Sequence, residues 1–584
     1  IEVDRELGRA PRGRLLFSNP DHAGARQRIT IKASDDGGRT WPADRTVLLD
    51  SGRSAGYSCL TVIDEATVGI LYESSQAHLA FQRVPLADLL PMRGAFRFGR
   101  GIGARMVVQA DRPFTAHGTG MPGMRVECEF GDTRRETTVG DDGRWRAEFP
   151  ARKASFEPLH LRARSGDETL LANDILVGEV WICAGQSNME WPVRRAALAA
   201  EALAEPISDT IRLLDARPGA WTHPAPYGAP EVERLAPTRY FEGAWRRADR
   251  ESVAEVSAVG WWFARRLSAA LGVPVGLVDL AVGGSPTEAW IPDDALASSA
   301  EWRPLVEGRW TANARLTDFC RRRGGENLAA LLASGVAIPG DATGPNHPFK
   351  PGFLWSAGLE PLLPVAVRGI LWYQGESNAE SPDRALEHRA LMATLVDAWR
   401  ARLDDAGVPF LVVQLPAMDR PAWPAFRESQ RRLLGDRDGI AMAVAIDTGL
   451  RTDVHPPLKR PVGERLAELA LARTYGRGDL PVAYGPTLLR ADSRDGAIEL
   501  SFECAGRGLA TTDGTPVRHL EVAGDDGLWH AATGTIVGTS TLRVASPEVP
   551  APRAARYAWV PFPEPAANLA DTDGRPASPF TTAP

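Results

Sequence analysis

The sequence predicts an open, mostly parallel α/β sheet with β-rich segments on either side. Four apolar runs lack the alternation of half-exposed strands and read as strands covered on both faces: 175–183 (ILVGEVWIC), 275–281 (VGLVDLA), 367–373 (VRGILWY) and 440–446 (IAMAVAI). Segments of helical period separate them. Each run opens onto a polar tip: GQSNM at 185–189, VGGS at 282–285, QGESN at 374–378, and DTG at 447–449 followed by DVHP at 453–456. In open α/β sheets the ligand crevice lies beyond the carboxyl ends of the strands, so the four tips are expected to converge.

Taken in chain order, residues 1–92 form a β-rich segment, and 84–99, with Pro85, Pro91 and Gly94, reads as the boundary after it. Residues 93–175 read as a small β-domain with a hairpin turn at Asp141-Asp142-Gly143. Residues 176–480 hold the α/β sheet. Within it a helix-like stretch is expected from near Glu190. A second helix runs over 257–271, with Trp261, Leu267 and Leu271 near helical spacing and a stop at Gly272. A third is expected from Ser381, with Pro382 in its first turn, through Leu391, Leu395 and Trp399 to Gly407. Residues 481–584 return to β character.

Convergence gives the tip residues chemical roles. Ser187, at the mouth of a strand-to-helix turn, is placed to attack a carbonyl. His455 supplies the base, and Asp453 or Asp447 the group that orients it. Backbone N–H groups at Ser187 and Gly284, with the Asn378 amide, form the expected oxyanion hole. Gln186, Gln374 and Glu376 are expected substrate contacts. A bland reading stands beside each: tight turns for Gly283 and Gly284, an Asx-turn or cap for Asn378, and an ordinary structural histidine for His455.

The blocks VGEVW running into GQSNMEW, GGSPTEAW (283–290), LWYQGESNAE (371–380) and DVHPPLKRPVGERLA (453–467) resemble, in this order, those of bacterial sialate O-acetylesterases, a branch of the SGNH hydrolases. The resemblance covers residues from about 96 to the end. It implies a flavodoxin-like sheet flanked by β-sandwich-like domains, with Ser187 as nucleophile, Gly284 and Asn378 at the oxyanion, and His455 as base. Many SGNH enzymes carry the acid three residues before the histidine, where this chain has Thr452. Asp453 lies two before it, so the third member stays open and a Ser-His dyad is an alternative. The implied substrates are O-acetylated sialoglycans, and from such a substrate a periplasmic or secreted location is expected. Alternatives are another acetylated glycan such as xylan, or a non-catalytic glycan-binding protein.

Ser34 to Trp41 fits the Asp-box pattern S-x-D-x-G-x-T-W, and with GRLLFSNP, ARQRITI, SAGYSCL and VGILYES it resembles the C-terminal part of a sialidase β-propeller. By that resemblance Arg26 binds a sialic acid carboxylate, Tyr57 is the nucleophile and Glu73 supports the arginine cluster. The remaining sialidase machinery is expected upstream, so this segment reads as a partial propeller without sialidase activity.

Composition excludes other classes. A formal net charge of −7 with dispersed basic residues argues against a nucleic-acid partner, and no apolar run approaches the roughly 20 residues that span a bilayer. The five cysteines, 59, 128, 183, 320 and 504, are odd in number and lack metal-ligand spacing. Cys183 is expected to be core packing. Without a zinc signature or a glycine-rich phosphate loop, neither metal nor cofactor is expected.

Overall fold

The central strand of the α/β sheet is also the last strand of the domain before it. In the computed structural model β1 (Glu168–Gly185) pairs antiparallel with Ser155–Ser165 over its first half and lies between parallel neighbours over its second. The boundary expected at 175/176 therefore falls inside one continuous strand. The structure describes all residues except 7–13, 23, 35–36, 42–44, 54–55, 65–66, 76–77, 90–95, 205–209, 478–484, 504–507 and 584. Part of the Asp-box and of SAGYSCL, Cys504, and the boundaries expected at 92/93 and 480/481 lie outside the described residues.

Five more parallel strands complete the sheet: β2 (Ile211–Asp215), β3 (Val275–Asp279), β4 (Gly369–Tyr373), β5 (Phe410–Val413) and β6 (Ile440–Ala443). Their spatial order is 2-3-1-4-5-6, with Trp245–Arg247 antiparallel on the β2 edge. A flavodoxin-like sheet runs 2-1-3-4-5, and β1, β3, β4, β5 and β6, counted in chain order, lie in that arrangement; β2 is an additional strand outside β3. From β1 the chain builds one side of the sheet and then crosses to the other. The switch point, and with it the crevice, falls at the carboxyl end of β1.

The pleat of β1 divides the core. Val180, Ile182 and Ala184 face a layer that continues into the small β-domain, while Trp181 and Cys183 face α1 (Ala258–Leu271) and its neighbours. Cys183 is fully buried, and a Cβ on Gly260 of α1 would lie 2.8 Å from its sulfur. Burial pushes its thiol well above the ordinary range, in keeping with packing rather than nucleophilic chemistry.

Capping explains the helix ends. Ser257 Oγ accepts the Gly260 N–H at 3.0 Å, and Gly272 closes α1 in the left-handed region. Ser381 caps α2 (Pro382–Leu403), which stops at Asp404, before the expected Gly407. The helix expected from Glu190 is a single turn, Ser187–Glu190, because Pro192 holds Trp191 extended. Two further helices, α3 (Trp423–Arg432) and α4 (Arg460–Leu469), follow β5 and β6.

Antiparallel sheets lie on both flanks of the α/β unit. In the small domain Arg97–Phe98, Phe114–Thr119 and Arg144–Phe149 form one sheet, facing the sheet that contains β1. The C-terminal region carries two four-stranded sheets, and its last strand docks on the α/β unit, where the Thr581 N–H donates to Glu428 at 3.3 Å. The N-terminal segment holds two three-stranded sheets, Leu15–Arg53 and Ser58–Pro85, around a separate small core. Among the described residues no helix is long and apolar enough to cross a membrane.

Candidate active site

Gly185 ends β1 at φ +124°, where a Cβ would stand 2.2 Å from the Tyr373 carbonyl, so only glycine lets the chain turn here against β4. The turn delivers Ser187. The loop after β6 delivers His455, and its Nε2 lies 2.8 Å from Ser187 Oγ, although 268 residues separate the two. Both line a cavity of about 770 Å³ at the carboxyl end of the sheet.

The histidine is fixed from three sides. Trp191 stacks on its ring, with centroids 5.2 Å apart and planes 24° from parallel. The carbonyl of Val454, the residue before it, accepts from Asn188 Nδ2 at 2.9 Å, which ties the histidine loop to the nucleophile's turn. Asp453 Oδ1 accepts the His455 backbone N–H at 2.9 Å and stands 3.9 Å from Nδ1, beyond hydrogen-bond reach. Burial, helped by Lys459, holds the imidazole below its ordinary value despite Asp453. Asp447 is not part of this group, since both its oxygens bind Arg465, at 2.8 and 2.6 Å.

With a serine–histidine pair at the switch point of an α/β sheet, the chain can be set beside known proteins. The structure of XAC1771, a carbohydrate acetylesterase from Xanthomonas citri, is 30% identical with a TM-score of 0.69, covering 83% of this chain and 99% of that one. The chain belongs to the carbohydrate acetylesterase family. Residues 357–472 match a family model described as carbohydrate esterase, sialic acid-specific acetylesterase. The Homo sapiens sialate O-acetylesterase is 28% identical over 344 residues, 53% of this chain and 56% of that protein. The chain thus spans about half the length of the curated sialate O-acetylesterases it first matches. Its N-terminal region is similar to a sialidase of Bacteroides fragilis (strain YCH46), 54% identical over 76 residues, 13% of this chain and 14% of that protein.

Within this carbohydrate acetylesterase the other expected residues divide. Gly284 reaches the cavity at φ +72°, and a Cβ there would meet Phe349 at 2.7 Å. Among the described residues neither its N–H nor that of Ser187 donates to a protein acceptor. Asn378 is a correction: it lies off the cavity, its Nδ2 donating to Glu288 at 2.9 Å while Oδ1 accepts from Gln374 Nε2 at 2.6 Å and from the Thr287 N–H at 3.0 Å. Its Oδ1 and one Nδ2 donor are held in a buried network. Gln374, fully buried, belongs to that network and not to the cavity wall, a second correction. Gln186 does line the cavity, and its Oε1 accepts the N–H groups of Gly375 and Ser377 at 3.3 and 3.2 Å, bracing the loop after β4.

Glu376 also reaches the cavity, at the end of a chain that sequence reasoning missed. Lys459 Nζ donates to Asn188 Oδ1, and Asn188 Nδ2 donates to Glu376 Oε1. Asn188 is fully buried, and the other Glu376 oxygen has no hydrogen-bond partner among the described residues. Burial pushes Glu376 up and Lys459 down to about 7. Both missed residues sit inside the quoted blocks GQSNMEW and DVHPPLKRP, so the signal was there without a role attached.

The N-terminal trio also meets in space. The Arg26 guanidinium lies 5.4 Å over the Tyr57 ring, and Glu73 accepts the Tyr57 backbone N–H at 3.2 Å. Tyr57 remains 68% exposed.

Proposed function

We propose that this chain hydrolyses O-acetyl groups of sialic acids through an acetyl-serine intermediate. The 2.8 Å contact between Ser187 Oγ and His455 Nε2, at the floor of an open cavity, carries the reading. Ser187 Oγ attacks the acetyl carbonyl as its proton passes to His455 Nε2. The backbone N–H groups of Ser187 and Gly284 receive the oxyanion. Collapse breaks the bond to the sugar oxygen, which takes the proton back from His455. Water, activated by the same imidazole, then releases acetate.

Neutral imidazole is the working form, and a basicity held below the ordinary value keeps it neutral at pH 7. Asp453 acts at longer range than in a triad, favouring imidazolium by its charge. Similarity to sialate O-acetylesterases, together with the sialidase-like N-terminal region, supports a sialic acid as the sugar. A second reading, a neutral acetylated glycan such as xylan, is favoured by the plain carbohydrate acetylesterase name of the Xanthomonas citri relative.

The test is acetate release from O-acetylated sialic acid and from acetylated xylan, with Ser187→Ala as control. Faster release from the sialic acid supports the first reading and the reverse the second. No release from either by the parent chain would leave a glycan-binding protein.

A further inference from the structure

Five arginines line the cavity in front of Ser187, and three of them are committed elsewhere. Arg194 pairs with Glu255 at 2.8 Å and Arg217 with Asp215 at 2.9 Å. Arg323 pairs with Glu326 at 3.2 Å and donates to the Thr222 carbonyl at 2.7 Å. Arg195 and Arg420 have no carboxylate partner among the described residues. Each lies against an aromatic face: Arg195 is 3.9 Å from the Trp191 ring centroid and Arg420 is 5.2 Å from that of Trp423. Both side chains are exposed at the cavity.

Among the described residues none of the carboxylates that share the cavity makes a direct ion pair with these two arginines. Asp215 and Glu255 are taken, and Glu380 accepts the N–H groups of Asp318 and Phe319 at 2.9 and 2.7 Å. Asp279 accepts the Ser257 N–H at 2.9 Å, and burial pushes it up to about 8. Burial likewise pushes Glu190 up to about 7 and Glu376 above its ordinary value. What the cavity leaves over is two guanidinium groups with no ion pair among the described residues: Arg195 acts on Glu190 and Arg420 on Glu376 only through space, and both charges oppose protonation of His455. Stacking on Trp191 and Trp423 holds the two groups in place, so little side-chain freedom remains to be lost when an anion binds.

We propose that Arg195 and Arg420 bind the carboxylate of the substrate, so that the site selects acetyl esters of acidic sugars over neutral ones. The proposal rests on the esterase reading and names what that reading leaves open, the feature of the sugar that is recognised. A guanidinium fork matches a carboxylate in shape as well as charge, which a hydroxyl-only sugar cannot exploit.

The experiment compares O-acetylated sialic acid with its carboxyl methyl ester, a pair carrying the same acetyl group and differing in charge. The parent chain is expected to favour the free acid in kcat/KM by about 10-fold or more, the scale of a charge-assisted hydrogen bond. Arg195→Gln and Arg420→Gln should each shrink that ratio, the double variant should bring it close to one, and Arg420→Lys should keep part of it. Any effect on the chemistry itself cancels in the ratio. Equal handling of the two substrates by the parent chain, or an unchanged ratio in the double variant, overturns the proposal. If the parent chain releases acetate from neither, the esterase reading fails separately, and calorimetry on Ser187→Ala decides the carboxylate question. Tighter binding of the free acid, lost with both arginines removed, upholds the proposal; equal binding of acid and methyl ester defeats it.

Discussion

Two hydroxyl-bearing residues, Ser187 and Tyr57, sit among the side-chain types that nucleophilic catalysis uses, yet their surroundings differ. Ser187 stands at the central strand of a six-stranded parallel sheet with an imidazole nitrogen 2.8 Å from its oxygen. Beneath it Asn188, itself fully buried, binds Lys459, Glu376 and the Val454 carbonyl. Tyr57 precedes an edge strand of a three-stranded antiparallel sheet, and Glu73 holds its backbone N–H, not its hydroxyl. Residue types meeting in space do not make a site. A nucleophile needs a base at its own oxygen and a buried layer that keeps the base there.

The largest expected effect breaks the first member of the comparison. Ser187→Ala should lower kcat on a simple acetyl ester by roughly 10³-fold or more with an unchanged melting curve, since among the described residues the hydroxyl bonds only to His455. Turnover near the parent rate would remove Ser187 as nucleophile. The supporting layer comes next. Asn188→Ala leaves Lys459 and Glu376 facing each other without their shared partner, and each buried polar group so stranded costs roughly 1–3 kcal/mol. A lower melting temperature is expected together with a fall in kcat that exceeds any rise in KM. A fully stable, fully active variant would show that the layer positions nothing.

A smaller effect is expected at the third position. Removing the aspartate of a true triad costs about 10⁴-fold in kcat, but Asp453 stands 3.9 Å from His455 Nδ1 and is more than half exposed. Asp453→Asn should therefore cost less than about 10-fold. The sign of its pH effect is also fixed. The base works when neutral, so kcat/KM falls as pH drops through a His455 pKa that burial holds below 6.5. Because the Asp453 charge raises that pKa, Asp453→Asn should move the acid limb to lower pH. Asp447→Asn, which breaks only the pair with Arg465, should leave both rate and profile alone. A loss near 10⁴-fold at Asp453 would restore the triad.

The parts of this arrangement that sequence revealed are those with local causes. Apolar runs ending in polar tips marked β1, β3, β4 and β6, and Ser257, Gly272 and Ser381 marked helix ends, because caps and buried strands carry their reasons within a few residues. β2 and β5 escaped, although β3, β4 and β6 are no longer than they are: Arg212 breaks the apolar run of β2, and β5 opens onto Gln414-Leu415-Pro416, a tip without a nucleophile or base type. The side-chain direction of Asn378 escaped for a different reason. Ser377 lines the cavity while its neighbour Asn378 turns into the network around Glu288, and which of two adjacent polar residues faces a substrate depends on packing. Arg420 belongs to no motif. Only the fold brings it from the loop before α3 to the cavity that holds Ser187.

The smallest effect expected is none, and it sharpens the second member of the comparison. Retaining hydrolysis of a sialoside by Tyr57 would need a base at the phenol oxygen and an acid at the leaving oxygen. In the structure the nearby Glu73 is engaged at the Tyr57 backbone, the Arg26 guanidinium lies over the ring, and the ring is 68% exposed, open to the solvent that catalysis must exclude. This 584-residue chain should accordingly release no fluorescent aglycone from a sialoside. Tyr57→Phe should leave acetate release by the Ser187 site at the parent rate, because the N-terminal sheets have a core of their own, apart from the one beneath Ser187. Aglycone release by this chain that Tyr57→Phe abolishes would mean that the exposed trio is a working site after all. Loss of acetate release in the same variant would mean instead that the two regions are coupled.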